Sequence, residues 1–169
     1  GKDLRPFWCQ GQNSDFLNAA SHVTGSFMDT TRIESRIGVR ASVDRLWDLI
    51  GNFDAWSQWN PYETQVEGSL SIGGSISLNE NLPGFGSRQV SGRLGDWQPL
   101  TKLMWSERRG FLFQSTRYFT LQELDRKSSI LTHGAILTGL RGENFYDKHR
   151  HQVRAAYDSL SENLKRIAE

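Results

Sequence analysis

The chain has 169 residues, with 20 Lys and Arg against 19 Asp and Glu for a formal net charge of +1, and 37% of it is hydrophobic. That composition excludes a disordered tail, and a chain of this length can bury one core without disulfide staples. The near-neutral charge with no long basic run argues against nucleic acid as the main partner, and no apolar run nears the roughly 20 residues of a bilayer span.

Residues 1–31 are polar and irregular, broken by Phe7-Trp8 and Phe16-Leu17. They read as an N-terminal extension docked through those aromatics on the domain or on a neighbouring copy. An alternative takes Met28 as a start and residues 1–27 as an upstream extension. Cys9, the single cysteine, lies here, so no internal disulfide is expected and the default setting is a reducing cytoplasm. It has no surroundings that would make it a nucleophile. The periodic domain is 32–169. Residues 32–40 predict a first strand, with Ile33, Ile37 and Val39 on one parity. Ser42 caps a short helix whose apolar face is Leu46, Trp47, Leu49 and Ile50, stopped by Gly51-Asn52. A second short helix over 54–59 ends at Asn60-Pro61, because the residue before proline avoids the helical region. Strands follow over about 62–68, with Tyr62, Thr64 and Val66 on one face, then 74–80, 87–97, 100–107, 111–124 and 129–138, with a loop at 82–86. Residues 142–168 hold no Pro and no internal Gly. Tyr146, His149, Val153, Ala156, Tyr157, Leu160, Leu164 and Ile167 recur there at helical spacing. The expectation is an α+β domain in which a curved, seven-stranded antiparallel sheet wraps a long C-terminal helix and leaves a cavity between them.

The stretch 41–61, ASVDRLWDLIGNFDAWSQWNP, resembles the opening of the SRPBCC (START-like) superfamily. Residues 99–105, 117–121 and 129–134, with Gly139, are similar to the same group, so the likeness covers about 32–168. That superfamily holds START-like lipid-transfer domains, the birch-pollen-allergen fold and bacterial polyketide cyclases and dehydrases. The resemblance implies a helix-grip fold with a deep apolar pocket for hydrophobic ligands. It does not select a chemistry, because one fold hosts many.

Arg117 shares strand parity with Phe113, Ser115, Phe119 and Leu121, so it is expected to face the helix. An inward arginine costs several kcal/mol unless paired. It either anchors a ligand carboxylate or phenolate, or makes a structural ion pair. His133 shares a face with Leu131, Ala135 and Leu137 and reads as a proton carrier near neutral pH or as a hydrogen-bonded core histidine. The resemblance implies an acid where Ala135 stands; here that partner is missing, which argues against a carboxylate-based mechanism. His149 lies on the apolar stripe of the long helix, in the half expected to line the cavity, while Tyr157, Leu160 and Leu164 are expected at the closed end. His151 is two residues on, and residues at that helical spacing cannot share a metal. Trp56, Trp59, Asn60, Tyr62, Trp105, Phe113 and Tyr146 are the candidate ligand contacts, against a reading as plain core.

Three functions compete. The first is binding of a hydrophobic or aromatic small molecule with one polar end. The second is a cofactor-independent cyclase, dehydratase or lyase acting on a polyketide-like carbonyl compound, with His133 or His149 moving a proton and Arg117 stabilising an enolate. The third is a co-chaperone-like interaction module. No metal and no cofactor is expected, and the state is a monomer or weak homodimer.

Overall fold

The computed structural model describes residues 31–169; Phe7, Trp8, Cys9, Phe16 and Met28 lie outside the described residues. The elements are β1 (Arg32–Val39), α1 (Val43–Ile50), a 3-10 turn at Phe53–Ala55, α2 (Trp56–Trp59), β2 (Glu63–Gly68), β3 (Ser75–Leu82), β4 (Gly86–Gln98), β5 (Lys102–Arg108), β6 (Gln114–Asp125), β7 (Ser128–Thr138) and α3 (Leu140–Ala168). The seven strands form one sheet in the order β1-β7-β6-β5-β4-β3-β2, and every neighbouring pair is antiparallel. β1 and β2 do not pair with each other, so the sheet is open, and α3 packs against β1, β7, α1 and α2.

The local chemistry explains the helical insert. Ser42 accepts from the Arg45 amide at 3.2 Å and caps α1, which buries Val43, Leu46, Leu49 and Ile50. The indole N–H groups of Trp56 and Trp59 donate to the carbonyls of Ile50 (2.9 Å) and Leu49 (3.2 Å). Two carbonyls at the end of α1 that lack helical partners are thereby satisfied, and α2 is fastened to α1.

Three expectations shift. β6 begins at Gln114, not at 111, because Leu112 takes a left-handed backbone (φ 57°) that ends the alternation; Phe111 to Phe113 form a loop. β2 carries a bulge between Thr64 and Glu67, with Gln65 at φ 51°, so the buried residue is Glu63 while Thr64 is exposed. α3 starts two residues earlier than predicted, at Leu140.

Gly134 shows one close approach. A Cβ there would sit 2.6 Å from both the Ile33 carbonyl oxygen and the Tyr118 hydroxyl, and that hydroxyl donates to Glu34 at 2.5 Å. Gly134→Ala is expected to cost about 1–3 kcal/mol by overpacking, read as a lowered urea midpoint with unchanged slope. A midpoint equal to that of the parent would show that Tyr118 swings away and that β1 gives at the Ile33 carbonyl without cost.

Candidate functional site

The interior divides into two packed regions. The larger joins Trp56, Trp59, Trp105 and Phe119 to α1 and to the middle of the sheet, including Ile76, Leu78, Val90, Leu94 and Leu103. Trp56 and Phe119 each touch the other three rings, for example Trp56–Trp59 at 5.3 Å and Trp56–Trp105 at 5.6 Å between centroids. This end is filled. The smaller region comprises Ile33, Ala135, Leu137, Val153 and Tyr157, with Phe85, Phe113, Phe145 and Tyr146 packed on it.

A cavity lies in the smaller region. Ile33, Leu82, Leu137, Val153, Phe85 and Phe145 supply apolar walls, and Glu80, Arg109, Arg117, Ser115 and Tyr157 supply polar ones. Its free space is about 10 Å³, room for roughly one water. Half-buried aromatics pack over its outer end. Phe145 meets Phe85 (5.6 Å), Phe113 (5.4 Å) and His149 (4.8 Å).

Strand alternation places a charged cluster on the inner face. Arg117 on β6 is ion-paired with Glu63 of β2 and Glu80 of β3, and all three are almost fully buried. Arg88 on β4 bridges outward: its Nε donates to Glu80 at 2.7 Å and its terminal nitrogens donate to both Glu107 oxygens at 2.9 and 2.6 Å. Asn60 steadies Glu63, donating from Nδ2 at 2.9 Å while its Oδ1 accepts from the Tyr62 and Glu63 amides. Arg109, at the end of β5, reaches Glu107 only at 3.9 Å. Its guanidinium lies over the rings of Phe113 and Phe145, 4.8 Å from each centroid. Burial, and next to it the charge of Arg88, lowers its pKa. Tyr157 lies 5.6 Å beneath the Arg117 guanidinium, and burial raises its pKa, so the phenol stays protonated.

Solved structures share this architecture. The chain aligns with the di-domain aromatase/cyclase StfQ of the steffimycin biosynthetic pathway at 11% identity and a TM-score of 0.64, over 83% of this chain and 52% of that one. It thus spans about half the length of StfQ. The Zhui aromatase/cyclase from a Streptomyces species aligns at 16% identity and a TM-score of 0.58, over 80% of this chain and 94% of that one. A hypothetical protein from Helicobacter pylori aligns at 8% identity and a TM-score of 0.70, over 87% and 92%. The fold is α+β and of the helix-grip type. No family model and no curated protein matches the sequence.

Within the helix-grip domain, the predicted site residues fall into separate places. Arg117 faces inward, opposite Ala135 in the register, and its acidic partners come from β2 and β3. His133 is fully buried, stacked 4.3 Å from Phe119 and tilted against Tyr157 at 4.5 Å, with no hydrogen-bond partner at either ring nitrogen among the described residues. Burial, and then the charge of Arg117, depresses its pKa well below the ordinary histidine value. It is therefore a neutral core residue, and it does not line the cavity. Trp56, Trp59 and Trp105 belong to the filled end. Asn60 supports the charged cluster. Tyr62 donates to Ser159 at 3.1 Å, and Tyr146 stacks under Arg150. Phe113 and His149 sit in the aromatic cover. Tyr157, expected at the closed end, lines the cavity.

Glu63, Glu80, Glu107, Arg88 and Arg109 were not among the expected site residues. Parity with Ile76 and Leu78 marks Glu80, parity with Leu103 and Trp105 marks Glu107, and parity with Val90 marks Arg88. Among the described residues, no group of three or more His, Cys, Asp or Glu side chains is arranged to hold a metal ion. No helix there is long and apolar enough to cross a membrane.

Proposed function

We propose that the helix-grip domain binds an apolar or aromatic small molecule with one polar end in the cavity between the sheet and α3. The observation that carries this reading is the convergence of Glu80, Arg109, Arg117 and Tyr157 on a cavity otherwise walled by aliphatic and phenyl side chains. Binding sites are apolar enclosures with a few placed polar groups. Shared architecture with two aromatase/cyclases supports a polyketide-like occupant.

The free space of about 10 Å³ is far below the roughly 300 Å³ of an ordinary ligand site. Entry therefore requires the aromatic cover to move. Phe85 rides on the β3–β4 turn, where Gly84 (φ 84°) and Gly86 (φ 72°) allow a tight reversal. An exposed hydrogen bond from Gln152 to the Pro83 carbonyl, 2.9 Å long, ties that turn to α3. Such a bond contributes only about 0.5–1.5 kcal/mol, so opening the cover costs chiefly the packing of Phe85 on Phe145 and His149.

The test uses the fluorescent neutral probe N-phenylnaphthylamine. Saturable binding to the parent is expected, with affinity reduced about tenfold or more by Val153→Phe, which fills the cavity at an overpacking cost of about 1–3 kcal/mol. A melting curve establishes that the variant folds. No binding to the parent, or equal binding by the folded variant, removes the cavity as the site.

Catalysis in the same cavity is the second reading, favoured by Tyr157. A protonated phenol on the cavity wall can hydrogen-bond the oxygen of a polyketide-like carbonyl compound and stabilise the enolate formed as Glu80, on the same wall, takes the α-proton. Incubation with a short β-keto thioester, followed by mass spectrometry, tests it. Turnover abolished in Tyr157→Phe supports the reading, and an unchanged thioester ends it.

A further inference from the structure

The ion pairs within the charged cluster separate two arginines that face the cavity. Arg117 is consumed by Glu63 and Glu80. Arg109 is not. Its one ion pair among the described residues is the 3.9 Å approach to Glu107, beyond hydrogen-bond distance, and both Glu107 oxygens already accept from Arg88. The Arg109 side chain is only 19% exposed, yet it lines the cavity and lies against Phe145 of the aromatic cover. Lying over two adjoining phenyl rings holds a guanidinium through their faces, and among the described residues its N–H edges have no side-chain acceptor at hydrogen-bond distance. A planar fork with free edges fits a carboxylate, sulfonate or phenolate oxygen.

We infer that Arg109, not Arg117, is the ligand anchor, and that the ligand class is an aromatic or apolar organic anion whose charged end stops at the mouth of the cavity. This inference rests on the binding reading above. Glu80 shares the cavity wall, but its carboxylate is paired with Arg88 and Arg117, and that of Glu107 is paired with Arg88, so Arg109, which meets neither at hydrogen-bond distance, is where added negative charge is favoured. The deeper walls, Ile33, Leu137 and Val153, take the apolar body.

Two probes that share a ring system and differ in charge test the inference: anilinonaphthalene sulfonate and N-phenylnaphthylamine. The parent is expected to bind the sulfonate more tightly. Arg109→Met is expected to weaken the sulfonate about tenfold or more, the size of one charge-assisted pair, while changing the neutral probe by less than about twofold. Arg109→Lys, which keeps the charge without the fork, falls between. Equal weakening of both probes by Arg109→Met, an unchanged sulfonate affinity, or a parent that prefers the neutral probe overturns the assignment and leaves the cavity reading standing. If neither probe binds the parent, or if folded Val153→Phe binds both as the parent does, the cavity reading fails, and the anchor with it.

Discussion

Replacing Arg117 by Met is expected to destabilise the protein by about 3–5 kcal/mol, a large share of the roughly 5–15 kcal/mol that holds a domain folded. The cause is not a lost attraction. It is the two carboxylates left behind. Glu80 keeps Arg88 at 2.7 Å, but Glu63 would retain only the Asn60 amide and its neighbours in an environment nearly closed to water. A buried, uncompensated charge is among the costliest defects a core can hold. Glu63→Gln in the Arg117→Met background should therefore recover part of the loss, whereas Glu63→Gln alone should cost less than Arg117→Met, since Arg117 then keeps Glu80. Urea unfolding of the two single variants and the double variant gives a coupling energy, expected at about 1–3 kcal/mol for groups in one network. A cost for Arg117→Met below about 1 kcal/mol, in the range of an exposed pair, would show that the cluster is hydrated and not structural.

His133→Phe is expected to flatten the acid limb of the stability curve. In the unfolded chain His133 takes up a proton near pH 6.5, and in the folded chain only well below it, because burial and then Arg117 oppose the charged ring. Between those limits the unfolded state binds more protons. Stability is then full above pH 6.5 and falls as pH drops below it, by up to about 1.4 kcal/mol per pH unit for this one group. Phenylalanine removes that proton and also the two ring nitrogens that find no partner. It keeps the stack on Phe119 and Tyr157. Unfolding free energies of parent and variant should differ in slope by about a quarter of a proton at pH 7, rising toward one proton at pH 5, and carboxylates common to both cancel. Parallel curves would mean that His133 titrates normally in the folded protein.

How far the sequence was legible depends on periodicity. Strict alternation placed Arg117 inward, and the same alternation marks Glu80, Glu107 and Arg88 once acidic and basic residues are followed with the aliphatic ones. Glu63 escaped that logic because the bulge at residues 64–67 changes which side chains face inward. Phe113 was assigned to a strand because the alternation runs on past Gln114, and nothing in residue type announces the left-handed turn at Leu112. The aromatic residues were ambiguous for a different reason. Whether Trp56 and Trp105 wall a void or fill one depends on the packing of four rings from three separate segments, and no local pattern records it. Tyr157 lies on the predicted stripe of α3, but its place along the cavity follows from how the helix lies across β1 and β7, which spacing alone does not determine.

The pairing of Glu63 with Arg117 has a consequence for shape. β2 and β6 are four places apart in the sheet, roughly 19 Å along its surface at about 4.8 Å per strand. Two side chains cannot reach across that distance on a flat sheet. Their contact is the chord of an arc, and the length of that chord sets the radius to which the sheet is rolled. Curvature here is held by a strap of charge drawn across the hollow as well as by strand twist, so whatever loosens the strap widens the trough beneath α3.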